Sequence, residues 1–302
     1  MLRHLSAVLM GAFLLTACGS QPADSQGGVS QPEGPGSSCG TPLSTSGVPA
    51  ASSGDPSDPA SAVKVVGLSR NNPHCIEFEV TNAGTEPAIF TITFTLLSRS
   101  GEALANPKQA VPAVGPGETM RHTFTVGAIR SNAGDVVRAK VLEVRSVPAA
   151  EAPSAGGACP PSGIRVYADD DADAAAGLRT FGLHLENCGT RPARLNGYPQ
   201  LQLLDESHKP VHGVKILHDS SAITVGPSGA EGVAEPVSLK TGERAYAVLV
   251  WRNTVEAGVN VNSPYVRVWA EPGASPVMLT PELDLGTTGK LGVGPWKKEK
   301  AR

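Results

Sequence analysis

Apolar and polar residues alternate with a period of two through most of this sequence after residue 60. In the first half, Ile76, Phe78 and Val80 alternate with polar neighbours, and the same pattern covers residues 178–185 and 246–251 in the second half. A period of two places successive side chains on opposite faces of a β-strand. No segment has a sustained helical stripe with a 3.6-residue period. The chain is therefore predicted to be all-β.

Composition divides the chain into folded and unfolded parts. Of the 41 residues at 19–59, 25 are Gly, Pro or Ser, which bury too little apolar surface to offset chain entropy. We expect two tandem immunoglobulin- or fibronectin-like antiparallel β-sandwiches after this disordered linker. The predicted division is a signal peptide at 1–17, a lipidated linker at 18–59, a first sandwich at 60–147, a linker at 148–158, a second sandwich at 159–287 and a basic tail at 288–302.

The N-terminus has the pattern of an export signal. Arg3 and His4 precede an 11-residue apolar run, which is shorter than the ~20 residues that a membrane span needs. The run ends in Leu15-Thr16-Ala17-Cys18, which resembles the lipobox of bacterial lipoproteins. This predicts cleavage before Cys18, lipidation of that cysteine, and anchoring at the extracytoplasmic face of the cell membrane.

Charge argues against nucleic acid as a partner. Removing residues 1–17 takes away Arg3 and no acidic residue, leaving 24 Lys+Arg against 28 Asp+Glu and a net charge of about −4. Phosphate binding needs a basic face. The expected partners are the membrane, through the lipid, and a cell-envelope or extracellular protein or polymer.

Four cysteines remain besides Cys18, an even number in a chain expected to be exported. Three connectivities are possible. Proximity in sequence favours the pairs Cys39–Cys75 and Cys159–Cys188, one in each half of the chain. No pair has the spacing of a zinc site.

A short motif occurs twice. Residues 82–88 and 187–193 share Asn-x-Gly-Thr-x-Pro-Ala, each after an alternating strand, and a Gly-Glu pair follows each copy at 117–118 and 242–243. Asn and Gly favour a turn and Pro prevents further strand pairing. The repeat indicates two related sandwiches.

The second half resembles a known family. Cys159-Pro-Pro-Ser-Gly, Gly197-Tyr198-Pro199 and Leu249-Val-Trp251 are similar to a domain of unknown function, DUF4232, found in exported actinobacterial lipoproteins. The resemblance covers about residues 159–286 and implies no activity. Where family members carry a further cysteine, this chain has Ala193, and Cys188 lies five residues earlier.

The second half also has the candidate binding residues. The repeat landmarks are 20 residues further apart there than in the first half, and the addition falls within 196–239. It contains Tyr198, His208, His212 and His218, which we expect to cluster at one exposed end, because loops on a rigid scaffold are where binding usually resides.

The preferred function is a non-catalytic binding or interaction module without a cofactor or metal. The alternative is a metal- or small-ligand-binding protein that uses the histidine hairpin of residues 208, 212 and 218. A cell-envelope hydrolase is least favoured: Ser61 and Lys64 fit S-x-x-K, but they run into a predicted strand rather than sharing a helical turn.

Overall fold

A computed structural model of the protein describes residues 59–69, 74–126 and 136–300, all within one compact unit of residues 35–302. Within these ranges, two 3-10 helices, Pro59–Ala62 and Ala149–Glu151, accompany twenty-one strands. The predicted all-β fold with two successive sandwiches is confirmed. Within the described ranges no helix has the length and hydrophobicity that crossing a membrane requires. Cys18 and Cys39 lie outside these residues.

The first sandwich contains seven strands in two antiparallel sheets. One sheet has the order β1-β2-β6; in the other, β3 pairs with β4 and β5 and also with β7. The strands are β1 (Val63–Ser69), β2 (His74–Thr81), β3 (Ala88–Leu97), β4 (Ala103–Ala105), β5 (Lys108–Val114), β6 (Thr119–Val126) and β7 (Arg138–Pro148).

The predicted alternation gives the core of this sandwich. Ile76, Phe78 and Val80 of β2 are fully buried, and they face Phe94 of β3, whose ring centroid lies 5.2 Å from that of Phe78. Glu77, between Ile76 and Phe78, lies on the opposite face of the sheet, where it is 8% exposed and pairs with Arg121 at 2.7 Å.

The second sandwich is larger. Its main sheet has the order β13-β20-β15-β10-β8, with β21 paired to β15 and β9 to β10; β12-β17-β18 form a second sheet, and β11-β14 and β16-β19 are separate pairs. The strands are β8 (Ile164–Ala168), β9 (Asp173–Ala175), β10 (Leu178–Asn187), β11 (Ala193–Leu195), β12 (Gln200–Leu204), β13 (Lys215–Leu217), β14 (Val237–Leu239), β15 (Arg244–Arg252), β16 (Asn262–Ser263), β17 (Tyr265–Trp269), β18 (Val277–Leu279), β19 (Leu283–Asp284), β20 (Lys290–Val293) and β21 (Lys297–Lys298).

One pairing departs from the antiparallel expectation. β13 lies parallel to β20, with Lys215 opposite Lys290. β13 is a three-residue strand inside the added segment, so neither its length nor its alternation signals a strand in the sequence.

The expected basic tail at 288–302 is wrong for most of its length. β20 and β21 complete the main sheet, and Trp296 between them is 2% exposed, with its Nε1 donating to the carbonyl of Ala270 at 2.9 Å. The lysines that suggested a solvated tail flank a buried tryptophan. Lys298 forms an ion pair with Glu243 at 2.6 Å.

The linker expected at 148–158 is packed against the second sandwich. Glu151 accepts a hydrogen bond from Arg267 at 2.7 Å, and the carbonyl of Gly157 accepts one from Arg165 at 2.8 Å. Its Pro, Ala and Gly residues predict flexibility, but side chains from distant strands hold it in place.

Candidate functional site

The repeated motif forms a hydrogen-bonded turn in the first sandwich. Asn82 Nδ2 donates to the carbonyls of Glu86 (2.9 Å) and Val114 (2.8 Å), and its Oδ1 accepts from the N–H of Gly84 (2.9 Å). The carbonyl of Asn82 accepts from Gly117 at 2.8 Å. One buried asparagine therefore joins the turn, the end of β5 and the turn before β6.

The second sandwich repeats each of these bonds. Asn187 Nδ2 donates to the carbonyls of Arg191 (2.9 Å) and Leu239 (2.8 Å), and its Oδ1 accepts from Gly189 (3.1 Å). Its carbonyl accepts from Gly242 at 2.7 Å. The sequence repeat is therefore a structural repeat, and Asn82 corresponds to Asn187.

The matched hydrogen bonds show how many residues the second sandwich has in addition to those of the first. The bond from Asn82 to Val114 spans 32 residues, and the bond from Asn187 to Leu239 spans 52, a difference of 20. The long strand β3 is represented in the second sandwich by β11 and β12, interrupted at residues 196–199. At the interruption the carbonyl of Gly197 accepts from the N–H of Trp296 at 3.0 Å.

The four residues predicted to cluster are divided between two places. Tyr198 and His218 stack, with ring centroids 4.3 Å apart and planes 9° from parallel. His208 instead contacts Tyr265 edge-on, at 4.3 Å and 86°. His212 is exposed, and no ring contact among the described residues joins it to the other three. The expected single cluster is wrong, because the turn that carries His208 faces the first sandwich.

The same geometry weakens the alternative of a histidine metal site. In the described part of the chain no group of three or more His, Cys, Asp or Glu residues is placed to hold a metal ion. Pro210 forms a β-bridge with Leu204, so His208 lies at the tip of a turn and His212 beyond the bridge. The two side chains therefore do not share a strand face.

The predicted disulfide of the second sandwich is confirmed. Cys159 and Cys188 are bonded, with Cα atoms 5.7 Å apart and a sequence separation of 29 residues. Cys75 is disulfide-bonded. Its expected partner, Cys39, is outside the described residues.

A groove of about 460 Å³ opens beside the repeat turn of the first sandwich. Residues 81–86 and Ser61 of the first sandwich and His208 of the second sandwich contribute to the lining. Apolar side chains form most of the rest: Ala62, Ala88, Phe90, Val144, Val147 and Pro148. Among the described residues of the lining, Glu86 is the acidic one.

Strand register shows which residues of the second sandwich correspond to the groove-lining residues of the first. Val63 pairs with Val80, and Val166 pairs with Leu185; each partner lies two residues before its repeat asparagine. The corresponding pairs are therefore Ala62 with Arg165, Thr81 with Glu186 and Ala83 with Cys188.

Larger groups occupy these positions in the second sandwich. Arg165 is 6% exposed and forms an ion pair with Glu186 at 3.5 Å. Cys188 carries the disulfide to Cys159. At these register positions the first sandwich has Ala62, Thr81 and Ala83, which line the groove, whereas the second has the Arg165–Glu186 ion pair and a disulfide-bonded cysteine.

The two sandwiches meet along a surface that we call the seam, formed by β7 on one side and by β12, β17 and β18 on the other. Its buried core consists of Val147, Leu204, Tyr265 and Met278. The N–H of Ser146 donates to the hydroxyl of Tyr265 at 3.2 Å. The groove lies beside this seam, because Ser146 and Val147 also line it.

Arg145 is the main charged group of the seam. Its guanidinium donates to Glu143 of its own strand (2.8 Å), to Glu206 (2.8 Å) and, through two nitrogens, to Glu282. It also lies 5.8 Å from the centre of the Tyr265 ring. Burial opposes its charge, but the bond and ion pair with Glu282 raise its pKa above the ordinary value. The sequence does not signal this group, because Glu282 is 137 residues away.

His184 is a second site that the sequence analysis missed. Its Nδ1 lies 3.0 Å from Glu299 and its Nε2 2.9 Å from Asp169, and the ring stacks on Tyr167. Burial opposes protonation, but the bonds to the two carboxylates outweigh it and raise the pKa of His184. A histidine with two carboxylate partners stabilises the fold most in mild acid, and this contribution is lost as pH rises through the raised pKa.

Comparison with known proteins gives a family for the second sandwich only. No curated protein matches the chain. The crystal structure of red sea bream transglutaminase aligns with 80% of this chain and 32% of that chain, at 14% identity and a TM-score of 0.19, which is too low to carry an argument. Residues 159–297 match the family model described as Domain of unknown function (DUF4232). The match extends past residue 287 and includes Trp296, in agreement with the strands at 290–298. The second sandwich therefore matches the DUF4232 family over residues 159–297, the family that its sequence resembles.

Proposed function

We propose that this protein is anchored by lipid on Cys18 at the extracytoplasmic face of the cell membrane, and that it binds a small, uncharged, mainly apolar ligand in the groove without catalysis. The sequence Leu15-Thr16-Ala17-Cys18 supports the anchor. The open groove supports the binding.

The comparison between the two sandwiches carries the binding proposal. The two sandwiches share the same hydrogen-bonded turn, but the second has Arg165, Glu186 and the Cys159–Cys188 disulfide where the first has Ala62, Thr81 and Ala83 in the groove lining. These smaller side chains beside a groove favour a ligand site over a purely structural turn.

The lining indicates the ligand class. Binding sites are typically concave and mostly apolar, with a few polar groups that orient the ligand, and a volume of about 460 Å³ is within the usual range for small molecules. Glu86 and the half-buried His208 are the titratable groups of the lining. A charged ligand would meet no compensating cluster of opposite charge there. We therefore expect an uncharged component of the cell envelope or its surroundings.

Filling the groove with the second sandwich's own residues should abolish binding. The variant Ala62→Arg/Thr81→Glu copies Arg165 and Glu186. We expect the uncharged fluorescent probe N-phenyl-1-naphthylamine to bind the wild type at one site and to shift the methyl NMR signals of Val144 and Val147. The filled variant should bind at least about tenfold more weakly, which corresponds to ~1.4 kcal/mol.

A matched control separates groove filling from added charge. Ala113→Arg/Thr125→Glu introduces the same side chains at exposed positions of β5 and β6 outside the groove. This control should bind the probe like the wild type. Equal binding by the filled variant and the control, or probe shifts away from Val144 and Val147, would contradict the proposed site.

The anchor is tested separately. Changing Cys18 to Ser removes the thiol that the lipid would modify, so the variant should move from the membrane fraction to the soluble fraction after cell breakage. Two acyl chains give stable anchoring at ~0.8 kcal/mol per buried CH₂. Cys18→Ser protein that remains in the membrane fraction would show that the lipobox interpretation is wrong.

A further inference from the structure

His208 lies where the groove meets the seam. It lines the groove, and its ring packs edge-on against Tyr265, the buried tyrosine whose hydroxyl accepts from Ser146. The backbone of His208 is left-handed, with φ +58°, in a turn that the carboxylate of Asp205 holds through the N–H groups of Ser207 and Lys209. Histidine is, with Asn and Asp, one of the non-glycine residues that adopt this conformation most often, so the turn can present the imidazole to the seam.

A proton on this ring would be unfavourable in the docked arrangement. Burial lowers the pKa of His208, and the positive charge of Arg267 acts in the same direction, while the Ser146 backbone, Glu151 and Asp205 oppose the shift. The charged groups around the ring, taken over every packed element, are Arg145 of β7, Glu151 of the 3-10 helix, Arg267 of β17, Asp205, Glu206 and Lys209 of its own turn, and Glu86 across the groove.

We propose that His208 is an acid-sensitive latch: the neutral ring holds the turn of residues 205–209 against the seam, and its protonation loosens the seam and releases the groove ligand. The ligand part of this inference rests on the proposed function. The direction of the pH effect follows from the thermodynamic linkage between protonation of His208 and docking of the turn. A histidine whose pKa is lowered on docking stabilises the docked form above its ordinary pKa of 6.5, and this contribution is lost as pH falls.

The test compares the wild type with His208→Asn, which keeps a residue suited to a left-handed backbone but does not titrate. One readout is N-phenyl-1-naphthylamine affinity at pH 7.5 and pH 5.0. The second needs no ligand: the ε-methyl NMR signal of Met278, which is fully buried in the seam, with Met120 of β6 as the reference. His184 is unchanged in both proteins, so their difference reports His208 alone.

We expect probe affinity of the wild type to fall about tenfold between pH 7.5 and pH 5.0, because protonation of His208 disfavours the docked arrangement, and the Met278 signal to change over the same range. His208→Asn should show less than about a twofold change in affinity and a constant Met278 signal. Identical pH profiles in the two proteins would overturn the latch. If neither protein binds the probe but only the wild-type Met278 signal titrates, the latch stands and the proposed groove ligand is wrong.

Discussion

Replacing Asn187 with Ala should destabilise the second sandwich by about 3–5 kcal/mol. The substitution removes both bonds donated to the carbonyls of Arg191 and Leu239 and the bond accepted from Gly189. Asn187 is 1% exposed, so the groups left behind have little access to water. A net loss of about 1 kcal/mol per bond, with the larger cost of unsatisfied buried groups, gives this range.

Urea unfolding followed by tryptophan fluorescence measures the effect directly, because Trp251, Trp269 and Trp296, the three tryptophans of the chain, all lie in the second sandwich. Asn196→Ala, at an exposed asparagine, is the control and should change stability by less than about 0.5 kcal/mol. A loss below about 1 kcal/mol for Asn187→Ala would mean that the turn does not depend on its asparagine.

Replacing Arg145 with Met should undock the two sandwiches. Methionine keeps apolar contact with Tyr265 but leaves Glu143, Glu206 and Glu282 without their cation. Burial and then the charge of Glu282 already raise the pKa of Glu143, so repulsion among the three carboxylates is the main cost. We expect a loss of about 2–3 kcal/mol, below the 3–5 of a fully buried pair, because Glu206 and Glu282 are partly exposed.

Calorimetry distinguishes undocking from local damage. The wild type should unfold in one transition, whereas Arg145→Met should show two, with the first sandwich and the second melting separately. Lys108→Met breaks a single pair with Asp171, in which both side chains are mostly exposed (61% and 88%), and should cost less than about 1 kcal/mol. One unchanged transition for Arg145→Met would show that apolar packing alone holds the seam.

Short sequence patterns predict the elements of this structure that depend on residues close together in the chain. The buried residues of β2 and the turns at Asn82 and Asn187 follow from alternation and from Asn-x-Gly-Thr-x-Pro, since both signals lie within a few neighbouring residues. The disulfide between Cys159 and Cys188 follows from even cysteine count and proximity.

The candidate site depends on contacts that no local pattern contains. Arg145 and Glu206 are 61 residues apart, and the groove lining combines residues as distant in sequence as Ser61, Val144 and His208. A spacing rule placed His208, His212 and His218 together, but the bridge between Leu204 and Pro210 turns the chain so that His208 faces the first sandwich. The sequence signal that could have located the groove is the set of residue differences between the two aligned repeats.

The strands at 290–298 have a consequence for how the chain acquires its structure. β15 pairs with β20 and β21, and the buried Trp296 donates hydrogen bonds to Gly197 and Ala270, so these late residues complete a core whose other strands begin at residue 164. A chain that emerges N-terminus first can close the first sandwich from its own residues, but the second sandwich stays open until residue 296 arrives. Non-local closure of this kind is slow and leaves apolar strands exposed to other chains. The interval between synthesis of the first sandwich and that of Trp296 is therefore when this protein most needs protection from aggregation.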